Sequence, residues 1–488
     1  MDNISTTSKT INPKSDLSGT VPAIASKSHA HRLLIAAALS ENETDIILNT
    51  TSKDIEATTD CLISLGAKIT KTDTGLHVVP INKSSKNSDP LMRDIAVDDN
   101  GSSTLLSDND HTNENAVKAL DAGESGSTLR FILPVIAALG ESASITTHGR
   151  LTERPLSPLY EELEEHGITL SPMGKSPLDI SGKMSGGSFI IPGNISSQYI
   201  TGLLFALPLL DTDSTLTVTG KLESRPYVDI TLDVLKEFGI IINEETVSAG
   251  SAKTDCDSSA DITMTKTIFN IHGSQTYTSA GSYTVEGDWS NAAFFLAAGA
   301  ISASADGVTV SGLKPSSLQG DKEIIPILSR FGASVRFEAI KQAAPSDNEK
   351  KGNGLYNVTV SRNVLSGVDI DAADIPDLVP ILSAVAAVSE GTTRISHIER
   401  LRIKESDRVA TVIETLTNLG ADIHEENNSL IINGKPSLSG GTVDSHNDHR
   451  IAMTAAILGI CCESPVTIQN PNAVAKSYPN FYDAISLL

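Results

Sequence analysis

The stretch RLRIKESDR, residues 400–408, sets Arg400, Arg402, Lys404 and Arg408 around Glu405 and Asp407. Such residues do two kinds of chemistry. Guanidinium and ammonium groups hold carboxylate or phosphate, and arginine does so with a bidentate fork. A carboxylate held against apolar surface keeps its proton more readily and can hand it on. The run that follows has apolar residues at Val409, Val412, Ile413, Leu416 and Leu419, the 3.6-residue stripe of an amphipathic helix. Counting back four residues from Val409 reaches Glu405, which puts that carboxylate on the inward stripe. Burial there is expected to raise its pKa, with Lys404 and Arg408 opposing the rise. Lys404 and Arg408, four apart, share a face. Without a function, the same residues would make an ordinary surface helix start, with Glu405 and Asp407 favouring the dipole.

Residues of the same kind recur at the starts of other predicted helices. Lys27, Ser28 and Arg32 open one, and Gly126, Ser127 and Arg130 open another, with Arg154 just beyond in LTERPLSPL. Ser196, Ser197 and Gln198 open a third. Asp377 lies near a further start, and Asn447, Asp448, His449 and Arg450 open the last, followed by Lys476. Helix N-termini present unpaired N–H groups and the positive end of the macrodipole, so they attract anions. For a single serine there, capping is the better reading, and for a single arginine, a solvated charge. Their joint recurrence points to a site for small anions. HNDHR, residues 446–450, offers His446, Asp448 and His449, but no third or fourth ligand stands nearby. A helix-capping network through Asn447 or Asp448 is the better reading, and no metal is expected. No glycine run matches a phosphate loop or dinucleotide fingerprint, so ATP and NAD are not implied and no cofactor is expected.

The elements that must position these residues form an internal repeat. A helix of small and aliphatic residues followed by a β-prone stretch appears six times, starting near Ser28, Gly126, Ser196, Ser290, Asp374 and Asn447. A second pattern interleaves with it, a helix ending in Leu-Gly or its equivalent before a strand, as in TTDCLISLGAKI and VIETLTNLGADI. The glycines suit the left-handed position just past a helix. Six mixed α/β units divide most simply into three plus three. Polar segments at 81–116, 245–268 and 340–356 read as surface insertions rather than elements.

Composition narrows the class. The 488 residues are too many for one ordinary core, and 39% hydrophobic with 4% aromatic content means cores of Leu, Ile, Val and Ala. A formal net charge of −23 argues against general binding to nucleic acid or an anionic membrane, but not against a local cationic pocket. Cys61, Cys256, Cys461 and Cys462 show no CxxC or Cys/His spacing and read as reduced thiols. MDNISTTSKTINPK lacks a signal-peptide run, and the longest greasy stretch, ITGLLFALPLL, is too short to span a bilayer. A cytoplasmic protein is expected.

ASKSHAHR, GESGSTLR, LTERP, GNISSQYITGLL, SRPYVDIT, IPDLVP, RLRIKESDR, NDHRIAM and AKSYPNF, in that order, resemble the motifs of the EPSP synthase family of enolpyruvyl transferases. The resemblance runs from about residue 20 to the C-terminus, skipping the polar inserts. It implies an α/β (mixed α+β) fold of two similar domains, each three βαβαββ units in an inside-out barrel, with the active site in the cleft between them. The chain would cross twice, giving residues 23–276 to one domain and 1–22 plus 277–488 to the other.

The implied reaction transfers the enolpyruvyl group of phosphoenolpyruvate to the 5-hydroxyl of shikimate 3-phosphate and releases phosphate. By motif position, Lys27, Ser28, Arg32, Ser196, Ser197, Gln198, Ser224, Asp377 and Lys404 would hold shikimate 3-phosphate. Lys27, Gly126, Arg154, Gln198, Arg408, Arg450 and Lys476 would hold phosphoenolpyruvate, where glyphosate would compete. Asp377 would take the hydroxyl proton and Glu405 would protonate the methylene carbon, with Lys27 also in a catalytic place. The protein would act as a monomer, with these small anions as its partners. GESGSTLR departs from the GNAGTAMR form of many members, and Arg400 stands where some have Asn. Arg225, beside Ser224, is a further candidate contact. A UDP-N-acetylglucosamine enolpyruvyl transferase usually carries a reactive Cys in its N-terminal-half domain, and residues 62–255 contain none. A non-catalytic repeat scaffold would carry unrelated polar residues at its helix starts.

Overall fold

The computed structural model describes residues 7–14, 16–81, 117–248, 265–340 and 354–488. Its strands form six sheets of one topology. In Lys118–Asp121, Ala143–Thr146, Leu178–Gly182 and Ile168–Leu170 the first pair is parallel and the next two pairs antiparallel. Four other sheets repeat this order, and the sixth has three strands: Gly441–Asp444, Val466–Gln469 and Ser8–Ile11. A parallel pair needs a long crossover. In four sheets the crossover is a single helix, Gly126–Leu139, Ser197–Ala206, Val379–Ala387 or His449–Cys461; the two remaining central helices, Lys27–Leu39 and Trp289–Ile301, each follow an edge strand that pairs in the other half.

These six helices are apolar nearly all round and are buried accordingly, as a helix packed between other elements must be. In Trp289–Ile301 every residue but Ser290 is buried, and in Lys27–Leu39 every residue from Ala30 onward. The second helix of each unit is two-sided instead: Arg225–Glu237 buries Val228, Ile230, Thr231, Val234 and Leu235 and leaves its other face to water. Gly66 and Gly332, in the left-handed region at φ 114° and 109°, end two such helices, as the Leu-Gly pattern predicted.

The described residues build two hydrophobic cores, one of which spans Ala25 to Val285. The other takes Ile11, Leu17, Val21 and Ile24 from the start of the chain and the remainder from Trp289 onward. The halves exchange edge strands. Gly19–Pro22 leads into the first half but pairs with Val308–Leu313 of the second. Ser282–Thr284 leads into the second half but pairs with Thr44–Ile47 of the first. By the resemblance the second crossing is expected near residues 276–283. The chain crosses later, at Val285–Asp288, because the edge strand Ser282–Thr284 is still needed by the first sheet. The two crossings lie side by side: Ala25 pairs antiparallel with Gly287, Ser26 N–H donates to Glu286 O and Asp288 N–H to Ile24 O.

Two proposed insertions were drawn too wide. Residues 245–248 and 265–268 are paired ends of the strands Ile242–Ser248 and Thr265–Ile271, and Tyr356 opens Tyr356–Ser361. Alternation in VSAG and ITMTKTIF is hidden by the polar residues between them. Residues 82–116, 249–264 (with Cys256) and 341–353 lie outside the described residues. No helix among the described residues is long and apolar enough to cross a membrane.

The approach of two central helices rests on Gly202, where a Cβ would meet the Arg130 carbonyl oxygen and the Pro134 ring. Gly202→Ala should therefore cost about 1–3 kcal/mol of stability despite alanine's better helix propensity, read as a lowered denaturation midpoint.

Candidate active site

The N-termini of the central helices face one another across the cleft between the halves, around a cavity of about 100 Å³. Of the fifteen residues singled out from the sequence, fourteen line it: Lys27, Ser28, Arg32, Gly126, Arg154, Ser196, Ser197, Gln198, Ser224, Asp377, Lys404, Glu405, Arg408 and Arg450. Lys476 is not in the lining. Its Nζ donates to Asn447 O at 2.6 Å and pairs with Glu124 at 2.9 Å.

Capping explains how the first-half side chains are presented. Ser26, Ser125 and Ser196 cap their helices by accepting from His29, Thr128 and Gln198 N–H. The next residues, Lys27 and Ser28, Gly126 and Ser127, Ser197 and Gln198, are then carried into the cleft. Arg32, one turn further in, is 2% exposed. It donates to Ser28 O at 2.6 Å, Tyr227 O at 2.9 Å and Thr231 Oγ1 at 2.8 Å. Arg130, 3% exposed, donates to Pro155 O at 3.0 Å and Gln198 Oε1 at 3.3 Å. Neither guanidinium has a carboxylate partner among the described residues. Burial works against both charges, yet a guanidinium does not give up its proton. Lys27 is better matched. Burial alone would lower its pKa, but Asp54 at 2.7 Å and then Glu405 outweigh it and hold the pKa above the ordinary value.

The second half supplies a dense ionic cluster. Asp377, in the turn Pro376–Leu378, accepts through Oδ1 from Arg408 at 2.8 Å, with Lys404 at 3.4 Å, and through Oδ2 from Arg450 at 3.2 Å. Burial would raise its pKa. Arg450, Lys404 and Arg408 together hold it well below the usual carboxylate range. Arg408, 1% exposed, also reaches Asp448 at 2.8 Å and Glu405 at 2.7 Å.

Glu405 corrects two expectations. The helix begins only at Arg408, capped by Asp407, which accepts from Val409 and Ala410 N–H at 3.2 Å. Glu405 thus reaches the cavity from the turn ahead of the helix, not from its inward stripe. Its pKa is also lowered, not raised: burial pushes it up, but Arg408, Arg154, His449 and Lys404 overcome burial. Arg225 is a third correction. It is drawn away from the cavity by Asp229 at 2.6 Å and Glu244 at 2.6 and 2.8 Å. Arg400 does line the cavity, donating to Ser224 Oγ at 2.9 Å. Asp448 is the cap that HNDHR was expected to hold, while Asn447 reaches Glu124.

Arg130, singled out as a helix-start cation but given no substrate of its own, lines the cavity, and so do Asp54, Tyr227, Asp288, Ser290 and Asn291, which the candidate set lacks. The fourth unit seemed to bring nothing to the site. The available signal was GDWS, an Asp at a helix start: Asp288 accepts from Asn291 N–H at 2.8 Å and from Lys27 N–H of the other half at 3.0 Å. Tyr227 lies in the motif SRPYVDIT, where Ser224 and Arg225 are the residues singled out.

Over residues 11–95, 90–255 and 257–485 the chain matches the family model described as EPSP synthase (3-phosphoshikimate 1-carboxyvinyltransferase). The 3-phosphoshikimate 1-carboxyvinyltransferase of Clostridium novyi is 39% identical over 469 residues, covering 96% of this chain and 94% of that protein. That of Clostridium beijerinckii is 40% identical over 473 residues, covering 96% and 94%. Among solved structures, EPSP synthase from Acinetobacter baumannii superposes with a TM-score of 0.70 at 22% identity, covering 98% of this chain and 97% of that one. The enolpyruvyl transferase NikO from Streptomyces tendae gives 0.65 at 14% identity, covering 98% and 96%. At those identities the two structures speak for the two-domain α/β fold, and the sequence relatives speak for the family. The chain belongs to the EPSP synthase family.

Proposed function

We propose that this chain is an enzyme that transfers the enolpyruvyl group of phosphoenolpyruvate to the 5-hydroxyl of shikimate 3-phosphate, releasing phosphate, in aromatic amino acid biosynthesis. The observation that carries the reading is the pair of buried, carboxylate-free guanidiniums, Arg32 and Arg130, facing Asp377 and Glu405 across one cavity. A buried cation without a counter-charge is costly, and an anionic substrate removes that cost on binding. The names of the sequence relatives supply the particular anions. Residues 25–284 would form one domain and the remaining chain the other, closing on the substrates in the cytoplasm as a monomer.

Shikimate 3-phosphate would lie against Lys27, Ser28, Arg32, Ser196, Ser197, Gln198, Ser224, Asp377 and Lys404. Phosphoenolpyruvate would lie against Lys27, Gly126, Arg154, Gln198, Arg408, Arg450 and Lys476. Asp377 is ionised at neutral pH, so it is unprotonated when the acceptor hydroxyl arrives. Glu405 is ionised too before substrate arrives. Phosphoenolpyruvate draws on Arg154 and Arg408 and brings its own negative charge, so Glu405 loses the field that holds its pKa down. It then takes up the proton it later gives to the methylene carbon.

Three outcomes are expected. Phosphate release from phosphoenolpyruvate should require shikimate 3-phosphate; release without it, or with UDP-N-acetylglucosamine instead, would contradict the assignment. Glu405→Gln should cut turnover by about 100-fold or more and leave shikimate 3-phosphate affinity intact in calorimetry. Gly126→Ala should raise the KM for phosphoenolpyruvate more than that for shikimate 3-phosphate. Its new Cβ would stand 2.6 Å from Arg130 Nη1 and 2.7 Å from Arg154 Nη1.

A further inference from the structure

Behind Asp377, outside the cavity lining, a second buried carboxyl faces it through a phenol. Asp321 lies in the turn Gly320–Glu323 and is 3% exposed. The Tyr227 hydroxyl stands 3.4 Å from Asp321 Oδ2 and 3.3 Å from Asp377 Oδ2. One phenolic proton therefore serves two carboxylates, and it can be given to only one at a time. The other oxygen, Asp321 Oδ1, is buried with no hydrogen-bond partner among the described residues. A buried anion with a bare oxygen is costly, and a neutral carboxyl is far less so.

The charge around the two acids is unequal. Asp377 has Lys404, Arg408 and Arg450 within ion-pair distance. Asp321 has no cation so placed among the described residues. The groups that face it are Tyr227 from Arg225–Glu237, Asp288 and Ser290 at the start of Trp289–Ile301, Asp377, and Arg450 at somewhat longer range. Burial first, then the charge of Asp377, push the Asp321 carboxyl up to about 6, with Asp288 adding to the rise and Arg450 and the Ser290 hydroxyl opposing it. Two carboxyls with separated proton affinities and a shared phenol have the form of a donor, a relay and an acceptor.

We propose that Asp321 is the resting place of the proton that Asp377 removes from the acceptor hydroxyl, reached through the Tyr227 phenol. The proposal rests on the enolpyruvyl-transfer reading above. As the acceptor oxygen bonds to carbon, its O–H bond breaks and the proton goes to Asp377. Asp377 Oδ2 passes that proton to Tyr227 Oη while the phenol gives its own proton to Asp321 Oδ2. Tyr227 is regenerated, one proton has moved from the hydroxyl to Asp321, and no electron is exchanged. Asp321 is a positioning residue for the proton, since it acts through Asp377 and never meets substrate. It must begin each turnover ionised, so activity falls as the pH drops through about 6.

The test is the pH profile of kcat for wild type, Asp321→Asn and Tyr227→Phe, with both KM values. Wild type should show an acid limb near pH 6. Asp321→Asn should lower kcat about tenfold or more and lose that limb, with both KM values within about twofold of wild type. Tyr227→Phe keeps both carboxylates but has no proton to shuttle, and it should lower kcat to a similar degree. A folded Asp321→Asn enzyme with wild-type kcat and an unchanged limb overturns the proposal. If Asp321→Asn does not fold, Tyr227→Phe decides alone, and wild-type kcat there overturns it. Wild-type protein inert toward the two substrates overturns the parent reading as well, which an active wild type with an unchanged variant does not.

Discussion

Two guanidinium groups, those of Arg32 and Arg130, are kept from water with only neutral oxygens to answer them, and the cleft is organised around that imbalance. A carboxylate partner would have satisfied either one at the expense of a bound anion. Their neighbours instead are carbonyls, hydroxyls and the Gln198 amide. These orient the forks without cancelling the charge. The serine caps work in the same sense: they satisfy part of each helix end and leave the following residues directed into the cavity.

The opposite wall follows another rule. There Lys404, Arg408 and Arg450 meet Asp377, Glu405 and Asp448 at close quarters. Such a cluster has little net charge, but each of its pKa values is fixed by its neighbours. An anion entering between the walls alters every one of them. Tyr227, from the first half, is the phenol that reaches into the second half's acids.

The sequence made the repeat legible because each central helix is apolar over its whole length, which no surface helix is. It made the cations legible because lysine and arginine beside a helix start are conspicuous. Glu405 lines the cavity, but not through the inward stripe that periodicity suggests, since a periodicity argument cannot tell the first helical residue from the turn before it. The direction of its pKa is hidden in the sequence because two of the four groups that lower it, Arg154 and His449, are distant in sequence. Arg225 was misplaced for the same reason: its partner Glu244 lies on a neighbouring strand. Asp321 carries no local mark, and Tyr227, although inside SRPYVDIT, shows no role there. Their meaning comes only from which half each belongs to and what it meets there.

The exchanged strands tie the second half to the order in which the chain is made. Ser8–Ile11 has its partner in Val466–Gln469, and Gly19–Pro22 in Val308–Leu313. The first half is one continuous stretch and can form its three sheets as soon as its last edge strand, Ser282–Thr284, has emerged. The opening segment must meanwhile wait, with its backbone groups unpaired, until strands hundreds of residues later exist to receive it. Closing so long a loop costs only slightly more than closing a moderate one, since the entropy grows with the logarithm of length. The burden is therefore one of time rather than of final stability: a nascent chain carries an open strand edge through most of its synthesis.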